Sequence, residues 1–442
     1  MRFRGIELGL LILAAVVLTA AVVSLKLALG NPLTWEVAWI IGGFIGIFAI
    51  AHISLCFLAP HADQVLLPVA ALLNGLGIVM IYRLDQALGN QMASRQVIWT
   101  VVGVAFFVAV LVGLKNHRIL QRYSYILGVI GLLLLALPIV WPWAPETADA
   151  DIWISIGGLS VQPGEFSKLF LLLFFAQLLT AKRALFTTAG YWFLGLEFPR
   201  LRDLAPILAV WGVAIIIMGL ENDFGPALLL FGIVLGMMYL ATGRASWLLI
   251  GLVLMVIGGT GLYMVSAKIQ TRFTNFIDPV GNYENGGYQL SQALFGMSFG
   301  GIGGTGLGQG YPQEVPVAFS DFILAAIGEE LGLTGLMAII LLFGVLITRG
   351  FRIGMDVKDS YGKLVAGGSA LAIMIQVFVV VAGISALMPM TGLTTPFMSQ
   401  GGSSLLANYI LLALLVRISE NAAPARATTR GQTTNLGAGV RA

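Results

Sequence analysis

Three short polar clusters and one long loop interrupt this otherwise apolar chain, and they hold the residue types that could do chemistry. They span residues 162–168, 221–226, 267–321 and 391–404. In the first cluster Glu165 and Lys168 are three positions apart, so on a helix the carboxylate and the ammonium share one face and can form an ion pair. In the second, Asp223 lies at a sharp reversal between two apolar runs.

The loop 267–321 is the longest polar stretch between apolar runs, and carboxylates are spread along it. Its candidate residues for catalysis or binding are Asp278, Glu284, Gln289 and Asp321. The cluster 391–404 contributes Ser403. A serine there is more typical of a helix cap or a close-packed contact than of a nucleophile, because no His or Lys base is near it in sequence.

Together these clusters suit a substrate that carries a diphosphate. A cation and helix-terminal amides can bind phosphate oxygens, and a carboxylate can remove a proton in the same water-accessible pocket. Each cluster also has a structural interpretation: Glu165 and Lys168 as an ion pair, and Asp223 as the N-cap of the next helix. Glu329 and Glu330 lie inside an apolar run, which favours a structural role as buried, hydrogen-bonded partners.

The elements that must position these clusters are membrane-spanning helices. Of the 442 residues, 58% are hydrophobic and 10% are charged, against about a quarter charged in soluble domains. Apolar runs of about 20 residues predict helices, because barrel strands would be shorter and would alternate. We therefore predict an all-α polytopic membrane protein with about 12 spans, at residues 7–29, 35–58, 65–83, 96–114, 119–140, 164–181, 204–220, 224–242, 246–266, 322–348, 365–387 and 401–416.

The distribution of basic residues predicts which side of the membrane each loop occupies. With the N-terminus in the cytoplasm, 18 of the 24 lysines and arginines fall on the cytoplasmic side, in keeping with the positive-inside rule. An even number of spans places both termini in the cytoplasm and the loop 267–321, between the ninth and tenth spans, outside it. Residues 419–442 have no apolar period and are predicted to form a disordered cytoplasmic tail.

Several classes of function are disfavoured by the same sequence. Most basic residues lie in short loops between spans, as the positive-inside rule predicts for a membrane protein. The net charge of +3 is therefore not evidence for a nucleic-acid-binding surface. The single cysteine, Cys56, and three scattered histidines offer no disulfide framework and no zinc-ligand spacing. No GxxxxGK[ST] phosphate loop occurs, which argues against an ATP-driven transporter.

Longer motifs follow one another in a fixed order between residues 65 and 418. They are Gln162-Pro163 with Glu165 and Lys168, Asn222-Asp223-Phe224-Gly225, Asp278-Pro279, Gly287-Tyr288-Gln289-Leu290, Asp321-Phe322-Ile323, Gly328-Glu329-Glu330-Leu331-Gly332, and Thr391-Gly392-Leu393 through Pro396-Phe397 to Ser403-Ser404. In type and order they resemble the SEDS family (shape, elongation, division and sporulation proteins). The run that ends in Tyr82-Arg83-Leu84 and the additional N-terminal helices resemble its actinobacterial RodA-type elongation branch.

The resemblance implies a peptidoglycan glycosyltransferase that polymerises lipid II outside the cytoplasmic membrane, for cell-wall elongation and cell-shape maintenance. It implies a class B penicillin-binding protein as partner, and a family core of ten spans. Residues 1–60 are then a two-helix N-terminal addition, residues 61–418 the core and residues 419–442 the tail.

The resemblance also implies roles for individual residues. Lys168, oriented by Glu165, is expected to contact the lipid diphosphate. The remaining residues expected to bind substrate are Asp223, Gln289, Asp321 and Ser403.

The family's catalytic aspartate has no direct counterpart in this chain. It follows the first Asp-Pro of the loop by four residues, a position that in gapless register is Asn282, which cannot act as a base. Arg272 favours this register and makes Glu284 the nearest replacement carboxylate, whereas an insertion over 282–285 would give the role to Asp278. Asp278 and Glu284 are therefore the predicted catalytic residues. A divalent cation at the leaving diphosphate is compatible with this chemistry, although the sequence identifies no ligand set for it.

Three other functions would use the same features. A lipid II flippase needs the outer cavity and the buried charges but no chemistry. A division-type (septal) polymerase would share the motifs, and a non-catalytic scaffold for a penicillin-binding protein would explain the asparagine at position 282. Formation of glycan chains separates a polymerase from the flippase and the scaffold.

Overall fold

The computed structural model of the chain describes residues 3–32, 34–141, 152–156, 159–183, 191–193, 196–198, 201–221 and 224–438. Within these residues the chain forms fourteen α-helices and two short β-hairpins. The helices are α1 (Gly5–Ala28), α2 (Trp35–Leu58), α3 (Leu66–Leu88), α4 (Met92–Gly113), α5 (Arg118–Val140), α6 (Pro163–Ala181), α7 (Leu201–Leu220), α8 (Phe224–Thr242), α9 (Ser246–Val265), α10 (Ala267–Ile277), α11 (Tyr288–Gly300), α12 (Ile323–Asp356), α13 (Ser360–Ile384) and α14 (Gly402–Ala438). Antiparallel strands β1 (Ile154–Ile156) and β2 (Leu159–Val161) form one hairpin, and β3 (Tyr191–Phe193) and β4 (Leu196–Phe198) form the other.

Each predicted span coincides with one helix of this bundle. Eleven helices within the described residues are long and apolar enough to cross a bilayer, and α7 occupies the remaining predicted position. These helices are apolar on every side because they contact either lipid or one another. The prediction of an all-α polytopic membrane protein is confirmed. The total of twelve spans and the cytoplasmic position of both termini remain predictions.

Local sequence sets where several helices begin and end. Pro163 occupies the first turn of α6, where its missing N–H costs no hydrogen bond. The Asp359 carboxylate accepts a hydrogen bond from the Gly362 N–H at 2.8 Å and caps α13. Gly89 follows α3 in the left-handed conformation, with φ of 69°. Such signals keep most helix ends within a few residues of their predicted positions.

Helices α3, α13 and α14 form the centre of the bundle. Most residues in the apolar parts of α3, α13 and α14 (for α14, residues 402–423) are buried, whereas α9 has few buried residues and lies at the periphery. A glycine permits the closest approach at the centre, since a Cβ on Gly77 of α3 would lie 2.3 Å from the backbone oxygen of Met398. The non-helical segment 385–401, between α13 and α14, therefore packs directly against the backbone of α3.

The glycine-dense part of the loop, residues 300–310, is tied to the bundle by an ion pair. Glu330 of α12 accepts a hydrogen bond from Arg83 of α3 at 2.7 Å, and its second oxygen accepts one from the Gly308 N–H at 3.0 Å. Arg83 also donates to the Gly310 carbonyl at 2.7 Å. Both side chains of the pair are buried. The loop is thus fixed to α3 and α12 at one point.

Glu329 makes a second attachment of the same loop. Its carboxylate accepts a hydrogen bond from the Tyr311 N–H at 2.6 Å. Shortly afterwards α12 breaks at Gly332, whose φ of 65° and ψ of −168° are open to glycine and strained for other residues. The structural role predicted for Glu329 and Glu330 is confirmed, because both serve as buried acceptors for loop or helix groups.

The end of the bundle away from the loop carries a second buried network, which fastens α1 and α2 to the core. Arg4 is fully buried, and it donates to Glu7 at 2.6 Å and to the Asp63 carbonyl at 2.9 Å. Glu7 lies 2.7 Å from Nδ1 of His52 on α2. The two helices predicted as an N-terminal addition are therefore packed onto the core and linked to it by hydrogen bonds.

The last helix continues past residue 418, where the sequence predicts that the core ends. Ser419 and Ala422 are buried, and Glu420 accepts a hydrogen bond from the His61 N–H at 2.6 Å. The helix extends to Ala438. The first residues after position 418 are thus held by contacts to the turn between α2 and α3, and the disordered cytoplasmic tail over residues 419–442 stays a prediction.

We expect Arg83→Ala to destabilise the fold by about 3–5 kcal/mol, because it leaves the Glu330 carboxylate buried and unpaired. The measurement is the midpoint of thermal unfolding of the detergent-purified protein. The control is Arg349→Ala, which removes a more exposed ion pair with Asp63 and should cost at most about 1 kcal/mol. Equal losses in the two variants would contradict the role given to Arg83.

Candidate functional site

Two of the predicted polar clusters, 162–168 and 391–404, meet at the end of the bundle that carries the loop 267–321. The Gln162 N–H donates to Ser403 Oγ at 2.9 Å, and the hydroxyls of Thr394 and Ser404 lie 2.8 Å apart. Ser403 is buried. It therefore joins the start of α6 to the start of α14 as a hydrogen-bond acceptor, in agreement with its interpretation as a close-packed contact.

Lys168 of α6 is the buried cation of this region. Its Nζ lies 2.5 Å from Glu165 Oε2, a contact that lacks the alignment of a hydrogen bond, and it donates to Gln376 Oε1 of α13 at 3.2 Å. Gln376 in turn donates to the Thr394 carbonyl at 2.7 Å. The spacing of Glu165 and Lys168 thus produces the ion pair predicted for it. Gln376 connects that pair to the segment 385–401.

The segment 385–401 also holds the start of α12. Ser399 Oγ accepts a hydrogen bond from the Thr395 N–H at 2.8 Å and donates to the Ser320 carbonyl at 2.6 Å. The Gln400 N–H donates to the Phe319 carbonyl at 2.8 Å. These bonds fix the backbone immediately before Asp321. The Asp321 side chain therefore extends from a backbone turn that is held by hydrogen bonds, at the end of the bundle that carries the loop 267–321.

Asp321 and Arg272 approach each other at this point from different elements. A Cβ placed on Gly392 would lie 3.7 Å from Asp321 Oδ2 and 3.8 Å from a guanidinium nitrogen of Arg272 on α10. Ser320 Oγ donates to Asp321 Oδ1 at 2.9 Å. Burial raises the pKa of Asp321 above its ordinary range, and the Ser320 hydrogen bond and the Arg272 charge offset this only in part.

An apolar cleft of about 330 Å³ opens beside this pair. Side chains of α7, α8, α9 and α10 line it, together with the segment from Met388 to Thr391. Arg272 is the charged residue of the lining, and its guanidinium lies 3.5 Å from the Thr391 carbonyl. The arrangement combines an apolar cleft with a cation in its lining, and the Asp321 carboxylate lies beside that cation but outside the lining. Those properties match a lipid that carries a phosphate group.

The two predicted catalytic carboxylates lie elsewhere. Asp278 is exposed, and its Oδ1 accepts a hydrogen bond from the Gly281 N–H at 2.8 Å, which closes a turn. Glu284 is exposed on the short 3₁₀ turn that follows. Gln289 is exposed as well. Asp223 lies outside the described residues. The catalytic and binding roles predicted for these four residues stay predictions.

Asn282, at the position expected for the catalytic aspartate, has a structural partner. Its amide Nδ2 donates to the Asp278 carbonyl at 2.7 Å and to the Thr274 carbonyl at 3.4 Å. Thr274 lies in the last turn of α10 and Asp278 is the C-cap residue, and their carbonyls also accept the backbone N–H groups of Asp278 and Asn282 at 3.1 and 3.2 Å. An ionised aspartate could not donate these bonds. The asparagine therefore suits the local fold at this position.

Within the described ranges, no three His, Cys, Asp or Glu side chains come together in an arrangement that could hold a metal ion. A divalent cation at the site stays a prediction. Sequence reasoning also missed two residues of the site: Gln376, and Arg272 as the partner of Asp321. Gln376 gave a usable signal, because a polar residue in the middle of an apolar span normally faces a partner inside the bundle.

Comparison with known proteins places this geometry in context. The family described as cell cycle protein, comprising FtsW, RodA and SpoVE, matches residues 63–423. The peptidoglycan glycosyltransferase RodA of Mycobacterium leprae is 49% identical over 425 residues, which are 95% of this chain and 91% of that protein. The probable peptidoglycan glycosyltransferase FtsW of Bacillus subtilis is 31% identical over 379 residues, covering 81% of this chain and 90% of that protein.

The fold is also similar to a solved structure. That structure is described as showing the structural coordination of polymerization and crosslinking by a peptidoglycan synthase complex. The matching chain superimposes with a TM-score of 0.67 at 25% identity, over 82% of this chain and 98% of that one. The helical core described above is therefore shared with it.

We expect Glu165→Leu to destabilise the protein by about 3 kcal/mol, because Lys168 would stay buried with its charge uncompensated. Thermal unfolding in detergent measures the loss. The double variant Glu165→Leu with Lys168→Met serves as the control, since it removes both charges and should recover most of the stability. A double variant no more stable than Glu165→Leu alone would contradict this account of the pair.

Asp321→Asn is expected to raise the unfolding temperature near neutral pH. The fold raises the pKa of Asp321 above its unfolded value of 3.8, so the protonated form is favoured in the folded state. The resulting stabilisation is complete below pH 3.8 and is lost as the pH rises through the folded pKa. The advantage of the variant should therefore shrink as the pH falls toward 4, in unfolding curves recorded across pH. An advantage that stays constant with pH would refute the raised pKa.

Proposed function

This chain belongs to the FtsW, RodA and SpoVE family of cell cycle proteins, and we propose that it is a peptidoglycan glycosyltransferase of the RodA type. Its reaction is the polymerisation of lipid II into glycan strands during cell-wall elongation and cell-shape maintenance. The observation that carries the proposal is the apolar cleft lined by Arg272, with Asp321 next to that arginine. This site lies in a chain that resembles a RodA glycosyltransferase over almost its whole length.

The chemistry of the site follows from what polymerisation requires. The 4-hydroxyl of an acceptor sugar attacks the anomeric carbon of a chain held by its lipid diphosphate. The bond from that carbon to the diphosphate breaks, and its electrons leave with the phosphate oxygen. A carboxylate must take the hydroxyl proton, and positive charge must stabilise the leaving group. The isoprenoid tail needs an apolar surface next to both.

The residues divide into these tasks. The cleft accommodates the tail, and Arg272 at its mouth contacts the diphosphate. Lys168, held by Glu165 and Gln376, is a second positive charge; it lies outside the lining of the cleft and is connected through Gln376 to the segment 385–401. The proton goes to a carboxylate of the loop 267–321, for which Asp278 and Glu284 are the candidates from sequence. A divalent cation at the diphosphate would supply further charge.

The proposal extends to place and partner. The protein lies in the cytoplasmic membrane with the site facing outward, since the positive-inside rule leaves the loop 267–321 outside. A class B penicillin-binding protein is the partner, which cross-links the strands that this chain makes. The solved relative described as a peptidoglycan synthase complex supports a joint arrangement of this kind.

Two other activities would leave different products. A flippase would use the cleft and its charges to move lipid II without joining sugars. A scaffold would bind the penicillin-binding protein alone, and the asparagine at position 282 is the feature that favours it. A division role is disfavoured because identity to the RodA relative exceeds identity to the FtsW relative.

We expect the purified full-length chain, reconstituted with lipid II, to produce glycan strands that are resolved by gel electrophoresis. The reaction is run with and without a class B penicillin-binding protein. Arg272→Ala should lower the rate on the order of 100-fold, the typical effect of losing one group that stabilises developing charge.

The matched control for this assay is Arg352→Ala. Arg352 is an exposed arginine near the end of α12 remote from the loop, and its removal should leave the rate unchanged. Absence of strands from the parent chain under both conditions would rule out the polymerase and leave the flippase or the scaffold.

A further inference from the structure

We infer that Asp321 is the residue that takes the proton from the attacking sugar hydroxyl, in place of the loop carboxylates Asp278 and Glu284. The inference rests on the proposed polymerase function and names the base within that site. It is carried by position, because Asp321 stands beside the cation that lines the apolar cleft. The residue would contact the acceptor sugar and is therefore assigned as catalytic.

The first step of the argument is the location of Asp321. Its Oδ2 and the guanidinium of Arg272 both lie within 4 Å of the point where a Cβ on Gly392 would be. Gly392 has φ of 73°, a left-handed conformation that favours glycine. Because glycine has no side chain, the space between Asp321 and Arg272 stays open. Arg272 is part of the cleft lining. A diphosphate bound to Arg272 therefore brings its anomeric carbon close to Asp321.

The second step is orientation. Asp321 Oδ1 accepts a hydrogen bond from Ser320 Oγ at 2.9 Å, which leaves Oδ2 directed toward Gly392. The backbone before it is held by Ser399, which donates to the Ser320 carbonyl at 2.6 Å. A base positioned in this way meets the acceptor hydroxyl without first losing side-chain entropy.

The third step is protonation. Arg272 of α10 is the charged group that faces Asp321, and Ser320 is its uncharged donor. The pKa of Asp321 lies above the ordinary range because burial outweighs both. A general base works best when its pKa approaches the working pH, so this shift improves Asp321 as a proton acceptor. The two loop carboxylates are exposed, and Asp278 is engaged in closing its own turn.

The proposed step balances as follows. The acceptor oxygen forms a bond to the anomeric carbon and its proton passes to Asp321 Oδ2. The bond between that carbon and the diphosphate oxygen breaks, and the diphosphate departs with both electrons beside Arg272. Asp321 then returns the proton to water. The carboxylate is regenerated and no redox partner is needed.

The test is the full-length chain carrying Asp321→Asn, assayed with lipid II and the penicillin-binding protein. Asparagine keeps the size of the side chain and an oxygen for Ser320, but it cannot accept the proton. We expect polymerisation to fall by about 100-fold or more, the range expected for loss of general base catalysis. Binding of labelled lipid II should stay within about twofold of the parent, because the principal phosphate contact is Arg272.

Two further variants keep the test decisive. Asp321→Glu retains a carboxylate and should polymerise at least about tenfold faster than Asp321→Asn. Glu314→Gln removes an exposed carboxylate of the same loop, outside the site, and should match the parent. If Asp321→Asn lost lipid II binding in proportion to rate, its role would be in binding and the inference would fall.

The outcome that overturns the inference most directly is a parent-like rate in Asp321→Asn together with loss of rate in Asp278→Asn or Glu284→Gln. In that case the polymerase function stands and the base is a loop carboxylate. Absence of polymer from the parent chain is a separate result, which removes the proposed function and this inference together.

Discussion

Burying a charge in an apolar bundle costs several kcal/mol unless an opposite charge and further hydrogen bonds surround it. Arg83 and Glu330 meet this condition only when α3, α12 and the glycine-dense loop are all in place, because the loop supplies the remaining hydrogen-bonding groups. Folding of the loop and packing of the two helices are therefore coupled. The start of α12 is positioned by the same coupling, and with it the turn that presents Asp321.

A second constraint comes from the segment 385–401, which is not helical although it lies against buried helices. Backbone groups in such a place must find hydrogen bonds outside a helix. Asn74 donates to the Phe397 carbonyl, Gln96 to the Ser399 carbonyl and Gln376 to the Thr394 carbonyl. Phe397 is held at φ of 64°, a costly conformation for a large residue, which this dense network enforces. These buried side-chain amides hold the backbone of the segment 385–401 in one conformation next to the site.

Sequence reasoning recovered the helices because their signal is local. An apolar run as long as α13 predicts a membrane span whatever the rest of the chain does. The three-residue spacing of Glu165 and Lys168 predicts an ion pair on one face of a helix in the same local way. The site depended on contacts that are not local. Arg272 reaches Asp321 and Gly392 only through the path of the loop, which no spacing in the sequence encodes. The family register pointed to Asn282, but the property that matters there is the ability of an amide to donate hydrogen bonds to the end of α10. The sequence also did not predict the roles of the buried amides Asn74 and Gln96. Their hydrogen-bond partners are the carbonyls of Phe397 and Ser399, which lie far away along the chain.

The break of α12 at Gly332 fixes the depth of the site relative to the lipid. At ~1.5 Å per residue, the part of α12 from Gly332 to Asp356 is by itself long enough to cross a hydrocarbon layer ~30 Å thick. If that part spans the bilayer, the helical residues before the break, Ile323–Leu331, are not needed to cross the hydrocarbon layer, and they and the preceding Asp321 lie at the level of the phospholipid headgroups. A lipid-linked sugar could meet this site while its tail stays in the bilayer, with no need to be lifted out of the membrane.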